Sequence, residues 1–124
     1  MEGKRMNEEE AFPSAQLLKG HLDLLILAAV RVEPAHGYAI IERLRLRSDG
    51  VLDLQEGTVY PALHRLEEAG LLASRWSDEH ARRRRVYSLT ERGWNTLQRG
   101  SRKWSQFADS VALVLFGQKR EEWI

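Results

Sequence analysis

At 124 residues and a net charge of +1, the chain is sized for one domain with at most an appended element. A chain of this length buries roughly two thirds of the surface its unfolded form exposes, enough for a core without covalent staples. It holds no cysteine, which excludes disulfides, thiolate catalysis and thiolate metal sites and fits a reducing cytoplasm. The longest apolar runs, Leu24–Val30 and Val111–Phe116, are too short to span a bilayer. The opening MEGKRMNEEEAF has Glu8, Glu9 and Glu10 where a signal peptide would be apolar, so no targeting segment is expected.

Residues 1–13 read as a flexible polar arm closed by Pro13. They carry four acids against Lys4 and Arg5, a balance of −2, which leaves +3 on the rest of the chain. Leu22, Leu25, Ile26, Ala29 and Val30 then recur at helical spacing, predicting a first helix from Ser14 or Gly20 to Val32. Its nearly all-round apolar character from Leu24 to Val30 marks it as central and buried. The segment Glu33–Gly37, with Pro34 and Gly37, reads as a turn. A second helix follows over 37–47, with Tyr38, Ile41 and Leu44 on one face and Glu42, Arg43 and Arg47 free to face water. Ser48-Asp49-Gly50 ends it, and Val51–Leu54 is a short extended piece.

The third helix spans about Glu56 to Ala69. Val59, Ala62, Leu63 and Leu66 form its inward stripe, and Gly70 stands where a helix stops. Pro61 is expected near the first turn, with a slight bend. Leu72–Trp76 alternates, and Val86 and Tyr87 are strand formers; with a polar tip at 79–82 they predict a two-stranded hairpin. Thr90 is placed to cap a long last helix. Along it Trp94, Leu97, Ser101, Trp104, Ala108, Val111 and Leu115 step by three and four, widened by Phe107 and Val114. That seam is either a subunit interface or a face packed on the chain's own core. Gly100 and Ser101 either weaken the seam or admit a close backbone approach. Residues 118–124 read as a frayed tail that Trp123 and Ile124 can dock.

Three helices, a hairpin and a long helix, in that order, are the winged helix-turn-helix plan: mainly α with a small β-hairpin. The divisions are the arm at 1–13, the DNA-binding domain at 14–90, a dimerisation helix at 91–117 and the tail at 118–124. The outward residues of the third helix are those that can reach base edges in a major groove. Thr58 offers a hydroxyl and a methyl, Arg65 a bidentate fork for guanine, His64 a ring nitrogen, and Tyr60 a hydroxyl for phosphate, with Pro61 on the same outer face. The consecutive Arg82, Arg83, Arg84 and Arg85 concentrate positive charge on the hairpin, two to each face. They serve either the DNA backbone or minor groove, or a solvated loop paired with Asp78 and Glu79.

The string Glu56-Gly57-Thr58-Val59-Tyr60-Pro61-Ala62-Leu63-His64-Arg65-Leu66-Glu67, followed by Gly70-Leu71-Leu72, resembles the recognition-helix signature of the PadR family of transcriptional regulators. His36-Gly37-Tyr38, the run Arg85-Val86-Tyr87-Ser88-Leu89-Thr90 with Gly93, and Trp104 agree with it, so the likeness covers about Leu17 to Leu115. The single last helix is similar to the family's compact branch. The sequence departs from the family where Gln55-Glu56 stand in place of the usual Ser or Pro before Gly-Thr, and where the last helix runs on into Phe116-Gly117. The resemblance implies a homodimeric binder of double-stranded DNA, usually a repressor, paired through the last helix by Trp94, Leu97, Trp104, Val111 and Leu115. It also implies a small, often aromatic effector at the dimer interface. In drug-responsive relatives a tryptophan matching Trp104 stacks on flat ligands; Phe107, Ala108 and Val111 flank it here.

The four histidines show no i, i+4 pairing, and no phosphate loop, nucleophile elbow or dinucleotide fingerprint occurs, so no metal, cofactor or enzymatic activity is expected. Three functions remain open: a repressor relieved by a small molecule, a regulator controlled by abundance or a protein partner, and a winged-helix module for protein contacts alone.

Overall fold

The computed structural model describes residues 12–79 and 82–122. The arm at 1–11, the wing-tip residues His80 and Ala81, and Trp123 and Ile124 lie outside the described residues. The order is α1 (Ala15–Lys19), α2 (Leu22–Ala29), β1 (Ala35–His36), α3 (Gly37–Arg47), α4 (Glu56–Glu68), β2 (Leu72–Ser77), β3 (Arg84–Leu89), α5 (Glu91–Phe116) and a 3-10 turn at Arg120–Glu122. This is the mostly helical winged-helix plan read from the sequence, with three differences that follow from local chemistry.

The first helix is two helices. Ser14 caps α1 through its Oγ, which accepts from the Leu17 amide at 3.1 Å. The His21 ring donates from Nδ1 to the Leu17 carbonyl at 2.7 Å, occupying an acceptor at the point where the chain breaks before α2. The second difference is β1. The segment read as a turn supplies a third strand, so the sheet has the order β1-β3-β2, all antiparallel. Ala35 pairs with Tyr87 and His36 with Val86, while Leu72 pairs with Leu89 at one end of the hairpin and Ser77 with Arg84 at the other.

Third, α3 is rotated from the expected face. Gly37, Ile40 and Leu44 are its buried positions, and Tyr38 is exposed. Arg43, expected in water, is largely drawn out of it and turns back over the end of α2, where Arg47, still exposed, also reaches. Arg43 Nη1 donates to the carbonyls of Ala29 at 2.8 Å and Glu33 at 2.9 Å, and Nη2 donates to the Glu33 carboxylate and the Pro34 carbonyl. Arg47 reaches the Ala28 carbonyl at 3.1 Å. The reason is that α2 ends without a glycine cap, leaving terminal carbonyls that a guanidinium fork satisfies.

The core is one cluster. Ile26, Leu27, Ala29 and Val30 from α2, Ile40 and Leu44 from α3, and Val59, Ala62, Leu63 and Leu66 from α4 interleave beneath the sheet residues Leu72 and Tyr87. Pro61 lies inside α4, one turn later than expected, and its missing N–H leaves the carbonyl of the exposed Gly57 without a helical donor. Gly70, at φ 81°, ends the α4 segment with the Leu71 amide on the Leu66 carbonyl at 3.0 Å.

The start of α5 is locked against that turn. Thr90 Oγ1 accepts from the Gly93 amide at 2.9 Å and donates to the Gly70 carbonyl at 2.7 Å. A Cβ on Gly93 would stand 2.1 Å from the Leu71 carbonyl oxygen, and backbone there has nowhere to move. Gly93→Ala is therefore expected to destabilise the fold by about 1–3 kcal/mol, the usual range for overpacking. Thermal melts followed by circular dichroism check this, with Gly57→Ala, whose added methyl meets nothing, as the mild control.

Candidate nucleic-acid interface

Because its apolar stripe is committed to the core, α4 turns the remaining side chains outward. Thr58, Pro61, His64 and Arg65 are all exposed, as the sequence pattern predicts. No side chain caps the helix: Gln55 occupies the N-cap without a side-chain hydrogen bond. The amides at the start of α4 are therefore open to an anion, although Glu56 adds a like charge beside them. Tyr60 differs from its neighbours. It is half-buried, and its ring lies so close to Gly37 that a Cβ there would stand 2.5 Å from Tyr60 Cε1. This contact seats α4 on the first turn of α3. Arg65 is also engaged, donating from Nη2 to Asp23 Oδ1 of α2, so it must leave that carboxylate to reach a base.

The four consecutive arginines go to different places. Arg82 is exposed at the wing tip. Arg83 lies over the Trp76 ring at 4.6 Å from its centroid, and Arg85 over the same ring at 5.0 Å. Arg85 also donates from Nε to Ser74 Oγ at 2.8 Å, and Ser74 in turn donates to Glu67 of α4 at 2.6 Å. Arg84 points the other way, as strand alternation requires, and its Nη1 lies 2.7 Å from His36 Nε2. Among the described residues the carboxylate nearest the run is Glu67, 3.9 Å from Arg85; Asp78 and Glu79, the partners considered from the sequence, hold none of the four in an ion pair.

Between the wing and the helices lies a cleft of about 630 Å³ lined by His36, Gly37, Tyr38, Tyr60 and Arg82–Arg85. Among the described residues no carboxylate lines it. Burial first, and then the charges of Arg84 and Arg43, hold the His36 imidazole below its ordinary range, so it adds no charge of its own at neutral pH. Sequence reasoning missed His36, Tyr38 and Trp76 here. His36 was hidden in an apparent turn, Tyr38 in the expected core face, and Trp76 in an ordinary strand alternation. The signal available for Trp76 was its position opposite Arg85 in a hairpin register.

The sequence model of the PadR-like transcriptional regulator family matches residues 26–99, from the core of α2 into α5. The chain belongs to the PadR-like family of transcriptional regulators. Solved structures agree. A PadR-family transcriptional regulator from Eggerthella lenta is 35% identical, with 82% of this chain and 87% of that one covered and a TM-score of 0.70. A PadR-like regulator from Bacillus cereus is 27% identical, covers 84% of this chain and 100% of its own, and has a TM-score of 0.73. A transcriptional regulator from Clostridium thermocellum, 25% identical over 82% of this chain and 99% of its own, has a TM-score of 0.74. PadR-like proteins are DNA-binding regulators rather than enzymes.

The second region of interest in this PadR-like chain is α5, 26 residues and roughly 40 Å long. The heptad seam divides along it. Gly93 and Leu97 are buried, and a Cβ on Gly100 would stand 2.7 Å from Leu24 Cδ1. The missing side chain thus admits α2, and Leu97, expected on a subunit seam, belongs instead to the chain's own core. Trp94, Trp104 and Val111 are 41, 44 and 36% exposed, and Phe107, Val114 and Leu115 more so. Trp104 borders an apolar cavity of about 630 Å³ between α1, α2 and α5, whose walls include Leu17, Leu24, Val51 and Leu97. Phe107, Ala108 and Val111 do not line it; they lie farther along the helix.

The segment after Gly117 does not fray up to residue 122. Gly117, at φ 75°, reverses the chain. Arg120 then donates to Asp109 Oδ1 and Ser105 Oγ, both at 2.7 Å, and its guanidinium lies over Trp104 at 5.2 Å from the ring centroid. Arg120 of the tail thus covers one side of the Trp104 ring. Among the described residues no group of acids and histidines could hold a metal ion, and no helix is long and apolar enough to cross a membrane.

Trp76 is half-exposed with Arg83 and Arg85 over its ring, so Trp76→Ala should lower the melting temperature modestly, by the loss of two exposed cation–π contacts of about 0.5–1 kcal/mol each. It removes the platform under Arg83 and Arg85. Duplex affinity, measured by fluorescence anisotropy, is expected to fall a few-fold, because guanidinium groups no longer held in place must be ordered on binding, at roughly 0.5–1.5 kcal/mol for each immobilised side chain.

Proposed function

We propose that this protein is a homodimeric transcriptional repressor that reads duplex DNA with α4 in the major groove and the arginine wing on the backbone or minor groove. The observation that carries this reading is that α4 supplies two features, an exposed polar row and, through Tyr60, one wall of the arginine-lined cleft. One is the exposed row Thr58, Pro61, His64 and Arg65. The other is the cleft walled by Arg82–Arg85 and Tyr60, which no described carboxylate lines. A face built this way favours a polyanion that offers both base edges and a phosphate row.

Dimerisation is proposed through the second half of α5. Phe107, Val111, Val114 and Leu115 form an exposed apolar surface that a monomer leaves in water, flanked by Trp94 and Trp104. A partner helix covering it places two copies of α4 for adjacent turns of the groove. The effector reading assigns relief of repression to a small planar molecule that enters the apolar cavity beside Trp104, exchanging with the Arg120 guanidinium for the ring. The stacked Arg120 equally favours a second reading, in which Trp104 is closed by the tail and the regulator responds to abundance or a protein partner.

The test is anisotropy on the duplex upstream of its own gene, against a scrambled duplex, at several salt concentrations. Tight, sequence-dependent binding with a steep salt slope is the expected result; equal, weak binding to both duplexes refutes the reading. Replacing Arg82–Arg85 by alanine should lower affinity and make the logarithmic salt slope shallower by about 0.9 for each phosphate that is no longer neutralised. Val111→Glu should give a folded monomer in light scattering, and an intact dimer would move the interface elsewhere. Quenching of tryptophan emission by planar aromatics, abolished in Trp104→Phe, separates the effector reading from the second one.

A further inference from the structure

His36 presents both ring nitrogens to hydrogen-bond donors. Nδ1 lies 3.3 Å from the amide of Ala39, in the N-cap position of α3. Nε2 lies 2.7 Å from Nη1 of Arg84. A neutral imidazole has one N–H and one lone pair, and an arginine never gives up its proton. If Nε2 accepts from Arg84, Nδ1 carries the hydrogen and faces an amide N–H. If Nδ1 caps the helix, Nε2–H faces the guanidinium. If both nitrogens are protonated, both face donors. Every protonation state leaves at least one donor pointed at another donor, and none of the described residues lining the cleft is a carboxylate that could relieve it.

The charged and titratable groups around the ring are all cationic or phenolic. Arg84 faces it from β3, with Arg82, Arg83 and Arg85 along the same wall. Arg43 stands on α3, its own charge met by Glu33. The phenols of Tyr38 on α3 and Tyr60 on α4 complete the lining. An anionic oxygen placed between Nε2 and Nη1 accepts from the guanidinium and from Nε2–H together, which removes the conflict on the Nε2 side; protonation of the ring then gives up only the long 3.3 Å contact between Nδ1 and the Ala39 amide. The first turn of α3 then adds its positive dipole end on the same side.

We propose that protonated His36 and Arg84 form a clamp for one phosphate of bound DNA, so that the protein takes up a proton at His36 when it binds. The proposal rests on the reading of this face as the duplex interface and adds a residue and a regulatory input to it. The sign follows from the surroundings. In the free protein, burial and the neighbouring guanidinium groups keep His36 neutral at pH 7. A phosphate beside it favours the charged form. Each protomer in the complex therefore binds one more proton than in the free protein in the interval between the two titrations. Affinity falls as pH rises through that interval, by at most about tenfold per pH unit for each protomer that takes up a proton.

The test compares the wild type with His36→Asn on the same duplex by anisotropy, from about pH 5.5 to pH 8 at fixed ionic strength. Asparagine keeps the helix cap but takes no proton. The wild type is expected to lose affinity more steeply with pH than the variant, whose residual slope reports His64 and the other histidines. A titration of the His36 ring by NMR in the wild type, free and saturated with duplex, tests the idea without a substitution; the midpoint should rise on binding. Parallel pH slopes for both proteins, or a His36 midpoint unmoved by DNA, would overturn the clamp while leaving DNA binding intact. Absence of duplex binding by the wild type at any pH would instead overturn the interface itself, and the clamp with it.

Discussion

Backbone pairing of Ala35 with Tyr87 and of His36 with Val86 joins the helix-turn-helix to the wing, and the face proposed for DNA depends on that join. Without it, β2 and β3 would be a two-stranded ribbon, and an isolated hairpin of this kind is marginal in water. With it, β3 becomes the central strand of the sheet, and Tyr87 is driven into the core at 2% exposure. The N-terminus of α3 is thereby fixed beside the arginines. The Tyr60 ring closing over Gly37 fixes α4 to the same turn. The three elements proposed to meet DNA are thus positioned by one two-residue strand and one glycine.

The charge on that face is divided rather than pooled. Strand alternation sends Arg83 and Arg85 to Trp76 and Arg84 to His36. Arg85 is further tied through Ser74 to Glu67, so the wing is braced against the helix it accompanies. This arrangement reduces the self-repulsion that four adjacent cations would otherwise bring. It also gives each arginine a different relation to an incoming phosphate: Arg82 exposed, Arg83 stacked, Arg84 opposed by a base that can be protonated, and Arg85 already held.

Helix α5 divides along its length. Its first half, through Gly93, Leu97 and Gly100, is part of the single-chain core, because two glycines let the backbone approach Leu71 and helix α2. Its second half presents Phe107, Val111, Val114 and Leu115. Trp104 stands at the boundary, bordering the apolar cavity while Arg120 lies over its ring. The first half of α5 packs on α2, whose Asp23 holds Arg65 of α4.

The sequence by itself determined the helix periods, the inward stripe Val59, Ala62, Leu63 and Leu66, the hairpin, the Thr90 cap and the family, because each is encoded in spacings of a few residues or in a contiguous motif. Only the tertiary structure decided the rest. Leu97 reads as one rung of a seam, yet α2 covers it, since a heptad pattern states that a face is apolar and not what covers it. Ala35–His36 forms a strand because β3 is there to pair with it, a partner some fifty residues away in sequence that no local propensity records. Arg43 leaves solvent because α2 ends with unsatisfied carbonyls within its reach. His36 meets Arg84 only in the folded chain, and Trp104 gains its guanidinium cover from the turn at Gly117. In each case the deciding partner lies beyond the range over which a helix or strand period carries information, so periodicity sets the type of element while packing selects its neighbours.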